Sequence, residues 1–449
     1  MDSHWLIQRL EEQREAPALI WQDAIWSFGR LADAVREQAA RLLREGVAPG
    51  TVLAIRGDYS PGVVALLLAA VINRNIVVPI ASSAAVRQER MLEVAEVALM
   101  AHFRADDGWD LVSCGHGGGH PMLRHLADDG EAGLILFSSG STGESKASVL
   151  SFDRLLDKFH TKRKGFRTLV FLLLDHIGGI NTLFHALCND GTIVTAAERS
   201  PEAVAAALAA HKVQLLPTTP TFLNMLLISG AASRHDLSSL ETITYGTEPM
   251  PQTTLAAVAS AMPGVRLKQT YGLSELGILP TKSRADNSVW LKLGAVGFEH
   301  KIVDNILWIR SASAMLGYLN APAPFDTEGW FNTQDLVETD GDYVRILGRR
   351  SELINVGGEK VHPTEIENLL LQLDNVRDVT VSGRANPITG TVVAARITPV
   401  RAEDAEAFKR RIRRFCRERL EPFKIPVVIE ITEADHHGVR FKKSRSLVP

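Results

Sequence analysis

The chain has 449 residues, of which 45% are hydrophobic and 22% charged, and its formal net charge at pH 7 is -3. This length predicts more than one domain, because a single hydrophobic core stops growing beyond about 250–300 residues. Charges of both signs are interspersed, which argues against binding of nucleic acid or anionic lipid and favours a small-molecule partner.

The N-terminal stretch and the cysteines indicate the compartment. The start, MDSHWLIQRLEEQ, has no basic segment followed by an apolar one, and the longest apolar run, 63–72, is too short to span a bilayer. The three cysteines, Cys114, Cys188 and Cys416, are odd in number and far apart, which argues against a disulfide framework. We therefore expect a cytoplasmic protein with reduced cysteines and no membrane partner.

Strand-like and helical runs alternate up to about residue 300. TVLAIRG and NIVVPI are typical of β-strands, and PGVVALLLAAVINR between them is typical of a helix, which predicts β-α units around largely parallel sheets. Near Ile302 the pattern changes to short strands and turns, and Asp340-Gly341 is a hairpin signal. The predicted fold class is α/β, with a small barrel-like β region closing a large N-terminal domain.

A smaller α+β unit follows Arg350. Pro363 suits the first turn of a helix. Strands are predicted in VRDVTVSGR and GTVVAARITPV, and a charged helix in AEDAEAFKRRIRRFCRERL. We place the domains at 1–349 and 350–449. Four aliphatic side chains fall at helical spacing in the helix from Pro363: Ile366, Leu369, Leu370 and Leu373.

A polar loop follows an apolar strand in LILFSSGSTGESKASVLSF. It is not a Walker A loop, because counting from Gly140 puts Ser145 at the last glycine and Ala147 at the magnesium-binding hydroxyl. An ordinary polar turn is the alternative to a phosphate site. The amides, hydroxyls and cation that suit triphosphate oxygens belong to Ser138, Ser139, Gly140, Ser141, Thr142, Gly143 and Lys146.

Four segments occur in an order that matches a known superfamily. They are SSGSTGESKA, TYGLSE, GWFNTQDLVETDGDYVRILGRRSELINVGGEKVHPTEIE and PFKIPVVIEITEADHHGVRFKKSR. They resemble, in turn, the phosphate loop, the Tyr-Gly-x-Thr-Glu element, the ribose-binding and hinge region, and the C-terminal lysine segment of ATP-dependent adenylate-forming enzymes. That superfamily includes acyl-CoA synthetases, peptide-synthetase adenylation domains and firefly luciferase. The resemblance covers nearly the whole chain and is closest to acyl- or aryl-CoA ligases.

The resemblance implies a two-step reaction. A substrate carboxylate attacks the α-phosphorus of ATP, giving an acyl-adenylate and pyrophosphate, and a thiol then takes the acyl group. Glu275 would bind Mg2+, supplying the ligand that Ala147 cannot. A lysine of the tail would bridge the carboxylate and the α-phosphate, and the spacing to Arg445 favours Lys442 over Lys443. Phe441 stands before Lys442, where the superfamily usually has glycine. A solvated glutamate and a basic tail without catalytic duty are the alternatives.

The nucleotide base and the α-phosphate are assigned four residues by the same resemblance. Tyr271 would pack on adenine, and Gly246 and Thr247 would lie along the base. Ser274 replaces the usual threonine and keeps a hydroxyl for the α-phosphate. An ordinary strand-to-turn segment is the alternative at 246–247.

The ribose is assigned two residues. Asp335 would bind both ribose hydroxyls, and Arg349 would lie near ribose and phosphate. TQD at 333–335 replaces the usual Thr-Gly-Asp, so the local backbone path is an open question. A structural Asp–Arg ion pair is the alternative.

The segment FLLLDHIGGINTLFHAL resembles the lining of the acyl pocket. His176 would lie at the pocket edge, or else cap a buried helix. Its neighbour Asp175 could instead bind a substrate amine, but its alignment one place before His176 argues against this. A metal site at Cys114, His116, His120 and His125 is disfavoured, because that Gly-rich stretch lies on a loop without evident supporting residues.

The second half-reaction concerns the C-terminal domain. Ser351 occupies the hinge position about which relatives swing this domain, and Gly357 and Gly358 belong to the loop on the thiol side. CoA is the expected acceptor, and the phosphopantetheine arm of a carrier protein is the alternative. A non-catalytic nucleotide sensor is a third hypothesis. The acid is expected to be aryl or apolar and of medium size, and the oligomeric state is left open.

Overall fold

The computed structural model describes residues 4–82, 88–117, 119–139, 145–294, 297–387, 389–434, 436–438, 441–443 and 445, with only the backbone at Ser139. In this part of the chain no helix is both long and apolar enough to cross a bilayer. The α-helices are Trp5–Glu11, Phe28–Arg44, Pro61–Ile72, Gln88–Val94, Pro121–Asp128, Phe152–Leu156, Ile177–Cys188, Pro201–Ala210, Pro220–Ile228, Ala231–Arg234, Gln252–Ala261, Pro363–Leu370 and Ala405–Arg417.

The first sheet is parallel except for its last strand, which pairs antiparallel with its neighbour. Such a sheet needs helices on its faces, which the β-α alternation of the sequence supplies. In spatial order its strands are Arg266–Gln269, Thr242–Tyr245, Leu215–Thr218, Arg167–Leu169, Thr192–Val194, Pro17–Trp21 and Ala24–Ser27.

The second sheet is mixed, with a parallel centre and antiparallel edges. The largest core cluster joins the two sheets, since it contains Leu19 of the first, Leu53 of the second and Leu67 of a helix, all fully buried. The strands of the second sheet are, in spatial order, Gly317–Tyr318, Ser145–Ser151, Gly133–Ser139, Ile76–Ile80, Val52–Arg56, Leu99–Phe103 and Trp109–Ser113.

The buried helix Pro61–Ile72 shows how local sequence sets an element. Ser60 accepts a hydrogen bond from the backbone N–H of Val63 at 3.2 Å, and Pro61 occupies the first turn, where a missing N–H costs nothing. Nearly every side chain of this helix is buried. The apolar run of the sequence is therefore a core helix, which also explains why it shows no polar face.

The third sheet is antiparallel throughout and begins at Thr281, earlier than the change of pattern that we placed near Ile302. The predicted hairpin is present, but its turn lies at Gly341-Asp342, one residue after the predicted Asp340-Gly341, with Asp340 paired to Tyr343 and Gly341 at φ 58°. A separate two-stranded ribbon pairs Tyr271–Leu273 with Gly277–Leu279. The strands of the third sheet are Thr281–Ser283, Leu291–Leu293, Tyr343–Arg349, Phe331–Asp340, Ile306–Ser311 and Phe298–Val303.

A small α+β unit with its own core follows the third sheet. Its buried cluster lies entirely between Ile354 and Ile429. The helix predicted from Pro363 ends at Leu370, so Leu373 falls beyond it. The fold class is confirmed, whereas the boundary between 349 and 350 stays a prediction. The strands of this unit are Ile354–Val356, Glu359–Val361, Val376–Asn386, Gly390–Pro399 and Val428–Ile431, and short 3-10 turns lie at Asp157–Phe159, Arg350–Glu352 and Pro422–Lys424.

Candidate active site

A buried carboxylate and an arginine lie opposite each other in the central hairpin of the third sheet. Asp335 pairs in register with Arg349, and Arg349 Nε lies 3.6 Å from Asp335 Oδ1. The Tyr271 hydroxyl donates to Asp335 Oδ2 at 2.5 Å. Asp335 is 6% exposed, whereas the Arg349 side chain is 42% exposed. The three side chains predicted to hold adenosine therefore form one contiguous group.

Burial shapes the charges of this group. Burial raises the pKa of Asp335, and Arg349 and the Tyr271 hydroxyl oppose that shift. Burial and the Asp335 charge raise the pKa of Tyr271, which stays a hydrogen-bond donor at neutral pH. Burial works against the Arg349 cation, but the charges of Asp335 and Glu275 outweigh it and raise the pKa of Arg349. The group thus offers a carboxylate that accepts hydroxyl protons beside a permanent cation.

The backbone before Asp335 keeps the path that a glycine would take. Gln334 has φ 60°, in the left-handed region, and its N–H donates to Asn332 Oδ1 at 3.0 Å. The Asp335 N–H donates to Thr333 Oγ1 at 3.0 Å. The TQD segment therefore presents its carboxylate from a left-handed turn, at the cost of holding a non-glycine residue there.

A second group lies on the side predicted for the phosphates. Tyr318 donates its hydroxyl to Glu275 Oε1 at 2.7 Å, and Lys146 Nζ lies 5.2 Å from the centre of the Tyr318 ring. Glu275 is 9% exposed, and its carbonyl accepts from the Met315 N–H at 2.7 Å. The structure thus brings the predicted metal ligand and the predicted phosphate cation to one tyrosine, Glu275 at its hydroxyl and Lys146 over its ring.

The polar loop joins two antiparallel strands. Ser138 pairs with Lys146 and Ser139 pairs with Ser145. A Walker loop leads into a helix instead, so this topology agrees with the rejection of that motif. Asn320 holds the second strand by accepting from the Ala147 N–H at 3.0 Å and donating to the Ser145 carbonyl at 2.9 Å. Gly140, Ser141, Thr142 and Gly143 lie outside the described residues, as does the side chain of Ser139.

The segment predicted to lie along the base is closely packed. A side chain at Gly246 would come within 2.7 Å of Thr270 Oγ1 and 2.8 Å of its carbonyl oxygen, which explains the glycine. Thr247 follows with φ 73° and is exposed. Ser274 lies in the turn of the two-stranded ribbon, between Tyr271 and Glu275 in sequence. The adenosine-side and phosphate-side groups are thereby connected through one short stretch of chain.

His176 caps a helix in the segment predicted to line the acyl pocket. Its Nδ1 accepts from the Gly178 N–H at 3.0 Å. Tyr59 donates to the Gly179 carbonyl at 3.0 Å in the same turn. Asp175 is 5% exposed, and its charge acts on Arg199 and Tyr59. The Arg199 cation lies within electrostatic range of Asp175, and an amine-binding role for Asp175 stays a hypothesis.

The two candidate lysines of the tail lie in different surroundings. Lys443 is largely buried, with Nζ donating to the Val379 carbonyl at 2.7 Å and lying 3.2 Å from Asp378 Oδ1. Burial works against its charge, but Asp378 and then Glu367 outweigh it and raise the pKa of Lys443. Its ammonium is therefore used within the small unit.

Lys442 instead lies within electrostatic range of the residues proposed for the nucleotide. Desolvation lowers the pKa of Lys442, the Arg349 cation lowers it further, and Glu352, Glu248 and Asp335 oppose both. The residue is nevertheless exposed to solvent. This placement supports the choice of Lys442 over Lys443.

The hinge and thiol-side candidates follow the third sheet directly. Ser351 is exposed in the 3-10 turn Arg350–Glu352. Gly357 and Gly358 form an exposed turn with φ 60° and 102°, and the Gly358 N–H donates to Asn355 Oδ1 at 3.0 Å. Only glycine adopts both conformations without strain, so the sequence here is fixed by the turn itself.

The donor set can be tested against ATP and Mg2+. A carboxylate can accept hydrogen bonds from ribose hydroxyls, and the cations beside it can bind the triphosphate. Mg2+ commonly takes one or two protein carboxylates together with substrate phosphates. Among the described residues no group of three or more His, Cys, Asp or Glu side chains converges on a metal position. One carboxylate, that of Glu275, would be enough to bind a metal ion whose other ligands come from the phosphates of the nucleotide. In the Gly-rich stretch, His120 caps a helix by accepting from the Met122 N–H at 3.3 Å.

Comparison with known families decides the superfamily. Residues 6–319 match the AMP-binding enzyme family, and residues 365–440 match the C-terminal domain of AMP-binding enzymes. The chain belongs to the AMP-binding enzyme family. This confirms the predicted superfamily.

Curated relatives of this AMP-binding enzyme share about a quarter of its residues. The 2-succinylbenzoate–CoA ligase of Bacillus pumilus is 27% identical over 87% of both chains. The indoleacetate–CoA ligase of Aromatoleum aromaticum is 27% identical over 90% of this chain and 89% of the relative. These relatives are acid–CoA ligases, and the prediction of an AMP-forming acid–thiol ligase is confirmed at that level.

Solved structures share the fold. An anthranilate CoA ligase in complex with anthranoyl-AMP superposes with a TM-score of 0.82 at 19% identity, covering 98% of this chain and 95% of that one. The o-succinylbenzoate CoA synthetase of Bacillus subtilis, solved with its acyl-adenylate intermediate, gives a TM-score of 0.78 at 22% identity, covering 98% and 96%. At these identities the likeness supports the fold of the AMP-binding enzyme and leaves its substrate open.

Four residues of the site were missed by sequence reasoning. They act through contacts between distant parts of the chain, which no local pattern reveals. One weak signal existed, since the chain has only five tyrosines and Tyr318 is among them. The missed residues are Tyr318 and Asn320, together with Thr219 and Glu248, which hydrogen-bond the tail backbone at Phe441 and Lys443.

Proposed function

We propose that this enzyme activates a carboxylic acid with ATP and transfers the acyl group to the thiol of CoA. The observation that supports the proposal is the attachment of the tail to the large unit on both sides of Lys442, by Thr219 at the Phe441 carbonyl and by Glu248 at the Lys443 N–H. The Lys442 charge there lies within electrostatic range of Asp335 and Arg349. A cation supplied by the C-terminal tail thus joins the carboxylate and guanidinium proposed for the ribose. This is the arrangement that the first half-reaction requires.

The adenylation step needs opposed negative charges to approach each other. The acid carboxylate attacks the α-phosphorus, the bond to the β-phosphate oxygen breaks, and pyrophosphate leaves. Lys442 would hold the carboxylate against the α-phosphate, and Lys146 would offset charge on the leaving phosphates. Glu275 would hold Mg2+, which neutralises phosphate charge when bound. Ser274 would donate its hydroxyl to the α-phosphate.

The thioester step needs a different approach to the acyl carbon. The thiolate attacks that carbon, and AMP leaves with the carboxyl oxygen through which it was attached. Gly357 and Gly358 offer an exposed turn without side chains, along which a phosphopantetheine arm could pass. Rotation of the C-terminal domain about Ser351 would move Lys442 away from the acyl-adenylate and bring the Gly357-Gly358 turn to it.

The acid is proposed to carry an aromatic or other apolar group. The segment proposed to line its pocket is apolar, with Leu173, Leu174 and Ile177 buried around His176. The names of the relatives, 2-succinylbenzoate–CoA ligase and indoleacetate–CoA ligase, specify acids with aromatic rings. Aromatic acids gain most of their binding free energy from burying the ring, which suits such a lining.

A pyrophosphate-release assay with a panel of acids tests the proposal. The panel should contain benzoates, arylacetates, cinnamates, medium-chain fatty acids and amino acids, each with ATP and Mg2+. We expect release with one or more aromatic acids, and then a thioester on adding CoA. A thioester formed only with a carrier protein would replace CoA as acceptor, and no release with any acid would favour a nucleotide sensor.

A further inference from the structure

The ring of Phe441, next to the proposed catalytic lysine, packs on aromatic side chains of the large N-terminal unit. Its centre lies 5.1 Å from that of Phe171 and 5.5 Å from that of Phe222, and those two rings are 4.2 Å apart. His437 of the tail covers the other side at 5.1 Å. Phe441 is partly buried against the core cluster of the first sheet. It is therefore an apolar contact between the tail and the body of the enzyme.

Hydrogen bonds hold the backbone on both sides of Lys442. Thr219 donates its hydroxyl to the Phe441 carbonyl at 2.8 Å, and the Lys443 N–H donates to Glu248 Oε2 at 3.2 Å. Glu248 is itself fixed, since its Oε1 accepts from the Thr221 N–H at 2.8 Å. The residue between these contacts is Lys442, whose charge lies within electrostatic range of Asp335 and Arg349.

The conformation of Phe441 indicates that its ring is needed. Its φ is 49°, in the left-handed region, which a bulky side chain adopts only against its preference. The superfamily resemblance places a glycine here, for which the same conformation is free of strain. The ring contacts of Phe441 offset the free-energy cost of its left-handed backbone. Those contacts are made only while the tail is docked on the large unit.

We propose that Phe441 is a positioning residue that docks the tail and so favours the arrangement in which Lys442 serves adenylation. The inference rests on the proposed function. Its ring would leave Phe171 and Phe222 when the small unit turns for the thiol step. Phe441 thereby sets the balance between the two half-reactions, a role that a glycine could not perform.

The test measures each half-reaction separately in Phe441→Ala. We expect pyrophosphate release to fall by at least about tenfold, because a change of that size corresponds to loss of one partly buried ring. Thioester formation from a supplied acyl-adenylate should be unchanged or faster. Phe441→Tyr keeps the ring and should restore adenylation. Phe415→Ala serves as the matched control, since its ring lies under Arg419, just beyond the end of its own helix, and not against the large unit.

A second measurement needs no substrate. Trypsin should cleave after Lys442 faster in Phe441→Ala than in the wild type, and no faster in Phe415→Ala, because docking shields the tail. An unchanged ratio of the two half-reactions overturns the inference while leaving the proposed function intact. If the wild type shows neither half-reaction, the proposed function fails. In that case trypsin alone tests the docking role, and equal cleavage rates in the wild type and in Phe441→Ala overturn it.

Discussion

The Tyr271 hydroxyl donates a hydrogen bond of 2.5 Å to Asp335 Oδ2, across 64 residues of sequence. This bond ties the ribbon that carries Glu275 to the hairpin that carries Arg349. It explains why residues proposed for the base, the ribose and the metal keep fixed relative positions. The bond also requires Asp335 to stay buried, which has a consequence for stability.

Replacing Asp335 with Asn should raise the stability of the folded enzyme while removing its adenylation activity. Burial raises the pKa of Asp335 above its unfolded value, so the folded state favours the protonated acid and its stability falls as pH rises through the raised pKa. An Asn cannot ionise, and we expect the variant to melt about 2 °C higher than the wild type at pH 7 while losing adenylation.

Calorimetry at neutral and acidic pH checks this expectation. The advantage of the Asn variant should shrink as the pH approaches 4, where Asp335 of the wild type becomes protonated in both states. A variant that melts lower than the wild type at pH 7 would show that the ion pair with Arg349 outweighs the burial of the carboxylate.

Lys442→Ala should lower adenylation by at least about 100-fold, because the variant lacks the cation that holds the carboxylate against the α-phosphate. Thioester formation from a supplied acyl-adenylate should continue. Lys443→Ala is the matched comparison, and it should lower the free energy of unfolding by about 3–5 kcal/mol, because Asp378 is left without its partner. Adenylation that survives the loss of Lys442 would refute the assignment.

Glu275→Gln should raise the Mg2+ concentration needed for half-maximal pyrophosphate release by about tenfold or more, because an amide is a weaker ligand for Mg2+ than a carboxylate. The Tyr318 hydroxyl can still donate to the amide oxygen, so the fold should be retained. A titration of Mg2+ at saturating ATP measures the effect, with exposed Glu328→Gln as control. The same Mg2+ dependence in all three proteins would remove Glu275 from the metal site.

Gln334→Gly should raise the free energy of unfolding by about 1 kcal/mol, because Gln334 is held at φ 60° and glycine adopts that conformation without strain. Gln334→Val should lower it. Denaturant unfolding of both variants gives the comparison, and the KM for ATP should not change in the glycine variant. A glycine variant less stable than the wild type would mean that the Gln334 side chain makes a contact worth more than the strain.

Local patterns predicted the elements well, because their signals lie within one segment. Pro363 begins a helix, and a hairpin forms where Asp340-Gly341 predicted one, with its turn one residue later at Gly341-Asp342. The site was predicted as separate motifs, and their assembly was not. The bond from Tyr318 to Glu275 joins positions 43 residues apart, and no spacing rule anticipates it.

Departures from the superfamily pattern were harder to interpret. Gln334 and Phe441 both stand where the superfamily resemblance predicts glycine, and both adopt positive φ in the structure. From the sequence, both positions were open questions. A sequence does not show whether the backbone takes a different path or the non-glycine residue is held at positive φ. In both cases the backbone path is kept. The Phe441 ring packs on aromatic side chains of the large unit. That contact arises from tertiary packing, which local sequence does not reveal.

The central claim is that one enzyme couples acyl-adenylate formation to thioester formation. Quantifying AMP, pyrophosphate and acyl-CoA together, in a reaction with the best acid of the panel, ATP, Mg2+ and CoA, tests it most directly. The account predicts that the three products form in equal amounts and that none forms without the acid. Equal AMP and pyrophosphate without a CoA thioester, or ADP in place of AMP, would contradict it.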